Sequence, residues 1–150
     1  MKTPVTGLAA LLVVLSLCAP AVQARDTIHH LSVKEAVEMG KAKGELDNDI
    51  SFYFGDSSHP GVVTTMTKGV VTNKKTNGAN KSDEEACNWA MLSALKQLQE
   101  RASREGGNAV INIESYYKRK SFRSNTEFEC HAGNLMSGVA LKGDVVKLKK

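Results

Sequence analysis

Three cysteines and four histidines are the side chains with the widest chemical reach in this 150-residue chain. Cys18 falls inside an N-terminal run with the pattern of an export signal, which leaves Cys87 and Cys130 as the pair a mature protein would carry. An even pair in an exported domain predicts a disulfide before it predicts reactivity. The alternative is a thiol-active or hydrolytic enzyme using Cys87, which sits near the start of a predicted helix, where the dipole lowers a thiol's pKa. With His29, His30, His59 and His131 the cysteines form a thinkable zinc set. No Cys-x-x-Cys or His-x-x-x-His spacing occurs, however, and His131 adjoins Cys130, so the two point to opposite faces of a strand. No bound metal is expected. A serine hydrolase would show a Gly-x-Ser-x-Gly elbow, and none is present. Gly78-Ala79-Asn80-Lys81-Ser82 faintly resembles a phosphate loop but lacks its first glycine and the glycine before the lysine. The expectation is therefore a non-enzyme with no catalytic residues, no cofactor and no nucleotide.

One segment has the composition of a contact surface. Tyr116, Tyr117, Lys118, Arg119, Lys120 and Arg123 set four cations beside two aromatic rings. Such a segment could meet an envelope protein or an anionic surface such as lipopolysaccharide, phospholipid or nucleic acid. Its plainer reading is a solvated connection. The whole chain carries 20 basic and 16 acidic residues, a net charge of +4, and some of that surplus is the tail Lys147, Lys149 and Lys150. A surplus this mild reads as a solvated surface, whereas a strong nucleic-acid binder would show a clustered basic face with aromatics between the charges, so no nucleic-acid partner is expected.

The elements that must position these residues follow from pattern. Lys2, the apolar run at residues 7–17, Pro20 and Val22-Gln23-Ala24 match a secretory signal over residues 1–24, with cleavage after Ala24. The run is too short to span a membrane, which takes about 20 apolar residues. No transmembrane segment is expected in the mature chain, which would be periplasmic or secreted. Lipidation at Cys18 is disfavoured, because Leu17 stands where a small residue is wanted. Residues 25–150 then make a single domain.

Residues 26–31 read as a lead-in. Ser32 with Glu35 forms a capping box, and Val33, Ala36, Val37 and Gly40 fall at helical spacing, so a short helix covers 33–43 and Gly44 ends it. Ile50-Ser51-Phe52-Tyr53-Phe54 is a strand, and 62–76 is one strand or two, with Gly69 as a bulge or turn. Ser82-Asp83-Glu84-Glu85 opens a long helix over about 83–105, stopped by Gly106-Gly107. Its packing face carries Ala86, Trp89, Ala90, Ser93, Ala94, Leu98 and Ala102. Strands follow at 108–117, with Ala109, Ile111 and Ile113 sharing a face, then at 126–132, 135–142 and 145–148, with bends at Gly133 and Gly138. The fold class is α+β: one long helix on a small mixed or antiparallel sheet, with a short N-terminal helix.

Several motifs carry a resemblance. Lys81-Ser82-Asp83-Glu84-Glu85-Ala86-Cys87-Asn88-Trp89-Ala90, Gln99-Glu100-Arg101-Ala102, Gly106-Gly107-Asn108-Ala109-Val110, Ser115-Tyr116-Tyr117, Cys130-His131-Ala132-Gly133 and Gly138-Val139-Ala140-Leu141-Lys142-Gly143 together resemble a family of small exported proteins of Gram-negative bacteria. Members are often labelled as an excinuclease ATPase subunit. This chain has no Walker motif and carries an export signal. More distantly, Gly107, Asn108, Ala109, Val110, Cys130, Gly133, Ala140 and Leu141 are similar to positions of the Rcs-pathway outer-membrane stress-sensor lipoprotein domain. That sensor has two disulfides and a lipid anchor, whereas this chain can form one bridge and lacks a favoured lipid site. The resemblance implies a shared fold and an envelope-stress-related role.

Overall fold

The computed structural model describes residues 24–150; the expected signal, with Cys18, lies outside the described residues apart from Ala24. Chain order is β1 (Thr27–Ser32), α1 (Val33–Ala42), β2 (Ser51–Phe54), β3 (Val62–Asn77), α2 (Asp83–Glu105), β4 (Ala109–Ser115), β5 (Glu127–Ala132) and β6 (Met136–Leu148), with a single 3-10 turn at Tyr117–Arg119. Both capping boxes form: the Ser32 hydroxyl accepts from the Glu35 N–H and the Ser82 hydroxyl from the Glu85 N–H. Gly106 ends α2 at φ 76°, a left-handed conformation that glycine adopts without steric cost.

Strand β6 organises the sheet. Along one edge it pairs antiparallel with β3. Its other edge is shared by β5, at Ser137 and Gly138, and by β4, from Leu141 to Val146. Antiparallel β1 flanks β5, and parallel β2 flanks β4. The result is a mixed six-stranded sheet with α2 on one face, an α+β fold. The main core lies between them and includes Met91, Leu95, Leu98, Val110, Ile113, Phe128, Val139 and Leu141. Cys87, in the fifth position of α2, is disulfide-bonded to Cys130 of β5 with a Cα–Cα distance of 5.8 Å, and both residues are fully buried.

Several sequence expectations are corrected. Residues 26–31 are not a lead-in, because Thr27–Ser32 pairs along its whole length with β5. Strand β4 stops at Ser115 rather than 117 and contains a bulge. Asn112, at φ 54°, breaks the register between Ile111 and Glu114, and its side-chain amide donates to Asp144. The bulge turns Ile113 into the main core, while Ala109 and Ile111 join Val146 and Leu148 in a smaller cluster under Tyr53. Met136–Leu148 is one continuous strand, so Gly138 is no bend. On α2, Trp89 and Ser93 are only half-buried, while Leu92 and Gln99 are buried. The reason is α1, which packs against this side of α2: a Cβ on its Gly40 would come within 2.7 Å of both Leu46 and Leu92. The Gln99 side-chain oxygen accepts from the Asp47 N–H at 2.8 Å.

Candidate binding surface

Alternation along paired β1 and β5 sends His29 and Cys130 toward α2 and sends Ile28, His30, Glu129 and His131 to the opposite face. That face is covered in part by the connection from β4 to β5. Two bonds between Ser115 and Phe122 close this connection, and the Tyr116 N–H donates to the Ala140 carbonyl. Its turn forces Lys118 and Arg119 to φ 50° and 64°, a region that costs a non-glycine residue on the order of 1 kcal/mol.

The strained turn lays two rings on two imidazoles. Tyr117 stacks on His131 with centroids 3.7 Å apart and planes within 14°. Phe122 stacks on His30 at 4.3 Å and 6°. His131 Nδ1 lies 2.8 Å from Asp26 Oδ1 and Nε2 lies 2.9 Å from Glu129 Oε1, so both ring nitrogens face carboxylates. Lys118 Nζ sits 3.7 Å from Asp26 and 5.4 Å from the Tyr117 ring. The hydrogen bond from His131, aided by the charges of His131 and Lys118, holds the Asp26 carboxyl below its ordinary value against a contribution from burial. Beside Tyr117 opens a groove of about 420 Å³ whose lining includes Ile28, Tyr117, Lys118, Lys120 and Phe122. Ile28 is 54% exposed there, an apolar side chain left in water between two rings.

The six residues singled out from sequence do not form one surface. Tyr117, Lys118 and Lys120 line the groove, and Arg119 is exposed in the same turn. Tyr116 instead lies under Lys142, whose Nζ is 4.8 Å from its ring centroid. Arg123 is a clasp: it donates to the Gly55 carbonyl at 2.7 Å and to Asp56 at 2.6 Å, and sits 3.7 Å from Glu114. The Arg123 hydrogen bond holds the Asp56 carboxyl below its ordinary range. The sequence reading missed Asp26, Ile28 and Glu129 as members of the site. The signal that would have found them is the alternation of Ile28 with His30 and of Glu129 with His131, legible once both segments are treated as strands.

Elsewhere, His29 Nε2 bonds Asp83 at 2.9 Å, and Arg25 pairs with the same carboxylate at the start of α2. Among the described residues, no group of three or more His, Cys, Asp or Glu side chains is arranged to hold a metal ion. No described helix is long and apolar enough to cross a membrane. No protein-family model matches this sequence, and no curated protein matches it.

Proposed function

We propose that this chain is an exported, non-catalytic binding domain of the Gram-negative envelope. It meets an envelope protein through the groove between Tyr117 and Phe122, in a role related to envelope stress. The observation that carries this reading is the groove itself. Ile28 is exposed between two rings held in place by imidazole stacks, with Lys118, Arg119 and Lys120 around it. Rigid aromatics beside an apolar floor and a cationic rim suit a partner segment that carries an apolar side chain next to acidic ones. The export-signal pattern and the motif resemblance support the envelope setting, and the buried disulfide fits an oxidising compartment. The thiol-enzyme alternative is disfavoured because Cys87 is bonded to Cys130 and fully buried. His131 is a poor general base, with both ring nitrogens already facing carboxylates.

The test is a pull-down from envelope extract with the mature protein and two variants. Lys118, Arg119 and Lys120 are changed together to alanine in one, and Ile28 to serine in the other. All four side chains are exposed, so melting should stay near that of the wild type while partner recovery falls. Unchanged recovery from both variants contradicts the reading. Arg123 is left intact, since removing it would loosen the connection between β2 and β3. Capture by anionic vesicles but by no protein would replace the protein partner with a membrane surface.

A further inference from the structure

The wall of the Tyr117 groove stands on a ring that needs an extra proton. His131 faces Asp26 with Nδ1 at 2.8 Å and Glu129 with Nε2 at 2.9 Å, and an ionised carboxylate can only accept. A neutral imidazole has one N–H, so it can donate to only one of the two. Its other nitrogen then turns a lone pair on a carboxylate oxygen. The three groups satisfy both contacts only when two protons lie among them, the state in which the ring is an imidazolium. Asp26 does not bring the second proton near neutral pH, because its carboxyl is held below its ordinary value, first by the hydrogen bond with His131. Histidine is the side chain that ordinarily changes charge between pH 5 and 8.

Glu129 depends on the same protons. Its side chain is 16% exposed, and among the described residues its ion-pair partners are His131 at 2.9 Å and His30 at 3.6 Å. Loss of charge on both rings leaves a largely buried carboxylate without a cation, which is costly. The surrounding charges do not replace them. Lys118 is tied to Asp26 at 3.7 Å and Arg25 to Asp83. Lys75 of β3 and Lys120 of the connection border the cavities on either side of His131, and neither pairs with Glu129 among the described residues. The wall hangs on these rings. Tyr117 and Phe122 stack on His131 and His30, and an aromatic face attracts a cationic ring. Lys118 is held to His131 through Asp26. Once Asp26 loses the ring, the turn loses that anchor, and its φ values of 50° and 64° give it strain to release.

We infer that protonation of His131 and His30 around Glu129 orders the Tyr117 wall, so that the groove binds its partner more tightly in mildly acidic surroundings than in alkaline ones. The binding half rests on the role proposed for the groove, and the ordering half does not. The test is NMR of the 15N-labelled mature protein at pH 6 and pH 8, beside Glu129→Gln. In the wild type at pH 6, both ring nitrogens of His131 should carry protons, and backbone order parameters from Tyr117 to Lys120 should be about 0.85. At pH 8 the ring should have lost one proton, and the order parameters should fall below about 0.6. In Glu129→Gln a neutral ring can donate to Asp26 and accept from the new amide, so the turn should stay ordered at pH 8. A His131 ring with one proton at pH 6, or with two at pH 8, overturns the inference. So does a wild-type turn whose order ignores the titration, or a variant turn that loosens as the wild type does. Pull-down from envelope extract at the two pH values separates the switch from the groove reading. Wild-type recovery should show affinity about tenfold higher at pH 6, the worth of one charge-assisted hydrogen bond, while Glu129→Gln recovers equally at both. Equal wild-type recovery from a turn that does switch overturns the inference and leaves the groove reading in place. No recovery at either pH strikes the groove reading and the binding half with it, and the NMR result then decides the ordering half alone.

Discussion

At the scale of single residues, three aspartates act as anchors whose strength depends on charge. Asp26 binds His131, Asp56 binds Arg123, and Asp83 binds Arg25 and His29. In each, a side-chain hydrogen bond, with His131, Arg123 and Arg25 respectively, is the largest cause holding the carboxyl below its ordinary value of 3.8. The sign follows. A carboxyl that binds its proton less readily when folded stabilises the fold above the unfolded value, and that contribution is lost as pH falls through the lowered folded values. Urea unfolding should therefore show stability declining as pH drops below about 4, with a shallower decline in Asp26→Asn and Asp83→Asn than in the wild type. Equal slopes in all three proteins would contradict the anchoring roles. None of these pairings was legible in the sequence. His131 and Asp26 are 105 residues apart, and only the antiparallel register of β1 on β5 brings them together.

At the scale of elements, the disulfide ties the start of α2 to β5, across the main contact between helix and sheet. The bridge closes a span of 43 residues, for which the chain-entropy relation gives about 4 kcal/mol. Replacing both cysteines by alanine should lower the unfolding free energy from urea titration by an amount near that figure, with a matching fall in the midpoint, and reductant should do the same to the wild type. A midpoint unmoved by either would show that the cross-link does not stabilise the domain. Helix α2 was legible because its cap, its apolar stripe and its terminal glycines all agree. Strands were harder to read. β1 is short and carries two adjacent histidines, so its alternation is weak. Gly138 and Gly143 interrupt β6 in sequence but not in space, where a Cβ on Gly143 would come within 2.9 Å of Val110. Asn112 reverses the alternation of β4 by a bulge that no local pattern announces. Leu92 was not among the residues assigned to the packing face, because α1 covers it through the glycine at position 40, a tertiary contact that periodicity alone does not show.

At the scale of the whole molecule, a disulfide-bonded helix and sheet carry the contact surface on one connection. The connection from β4 to β5 builds an aromatic and cationic groove on the face away from α2. The sequence pointed to the basic connection but not to its division, in which Arg123 and Tyr116 serve the scaffold while Tyr117, Lys118 and Lys120 line the groove.

The proposed function presupposes a chain that leaves the cytoplasm and oxidises. The most direct check is the intact mass of the protein recovered from the periplasm without reductant. The account predicts a single species spanning residues 25–150 and lighter by two hydrogens than its dithiol form. A mass that retains residues 1–24, or one that shows two free thiols, would contradict it.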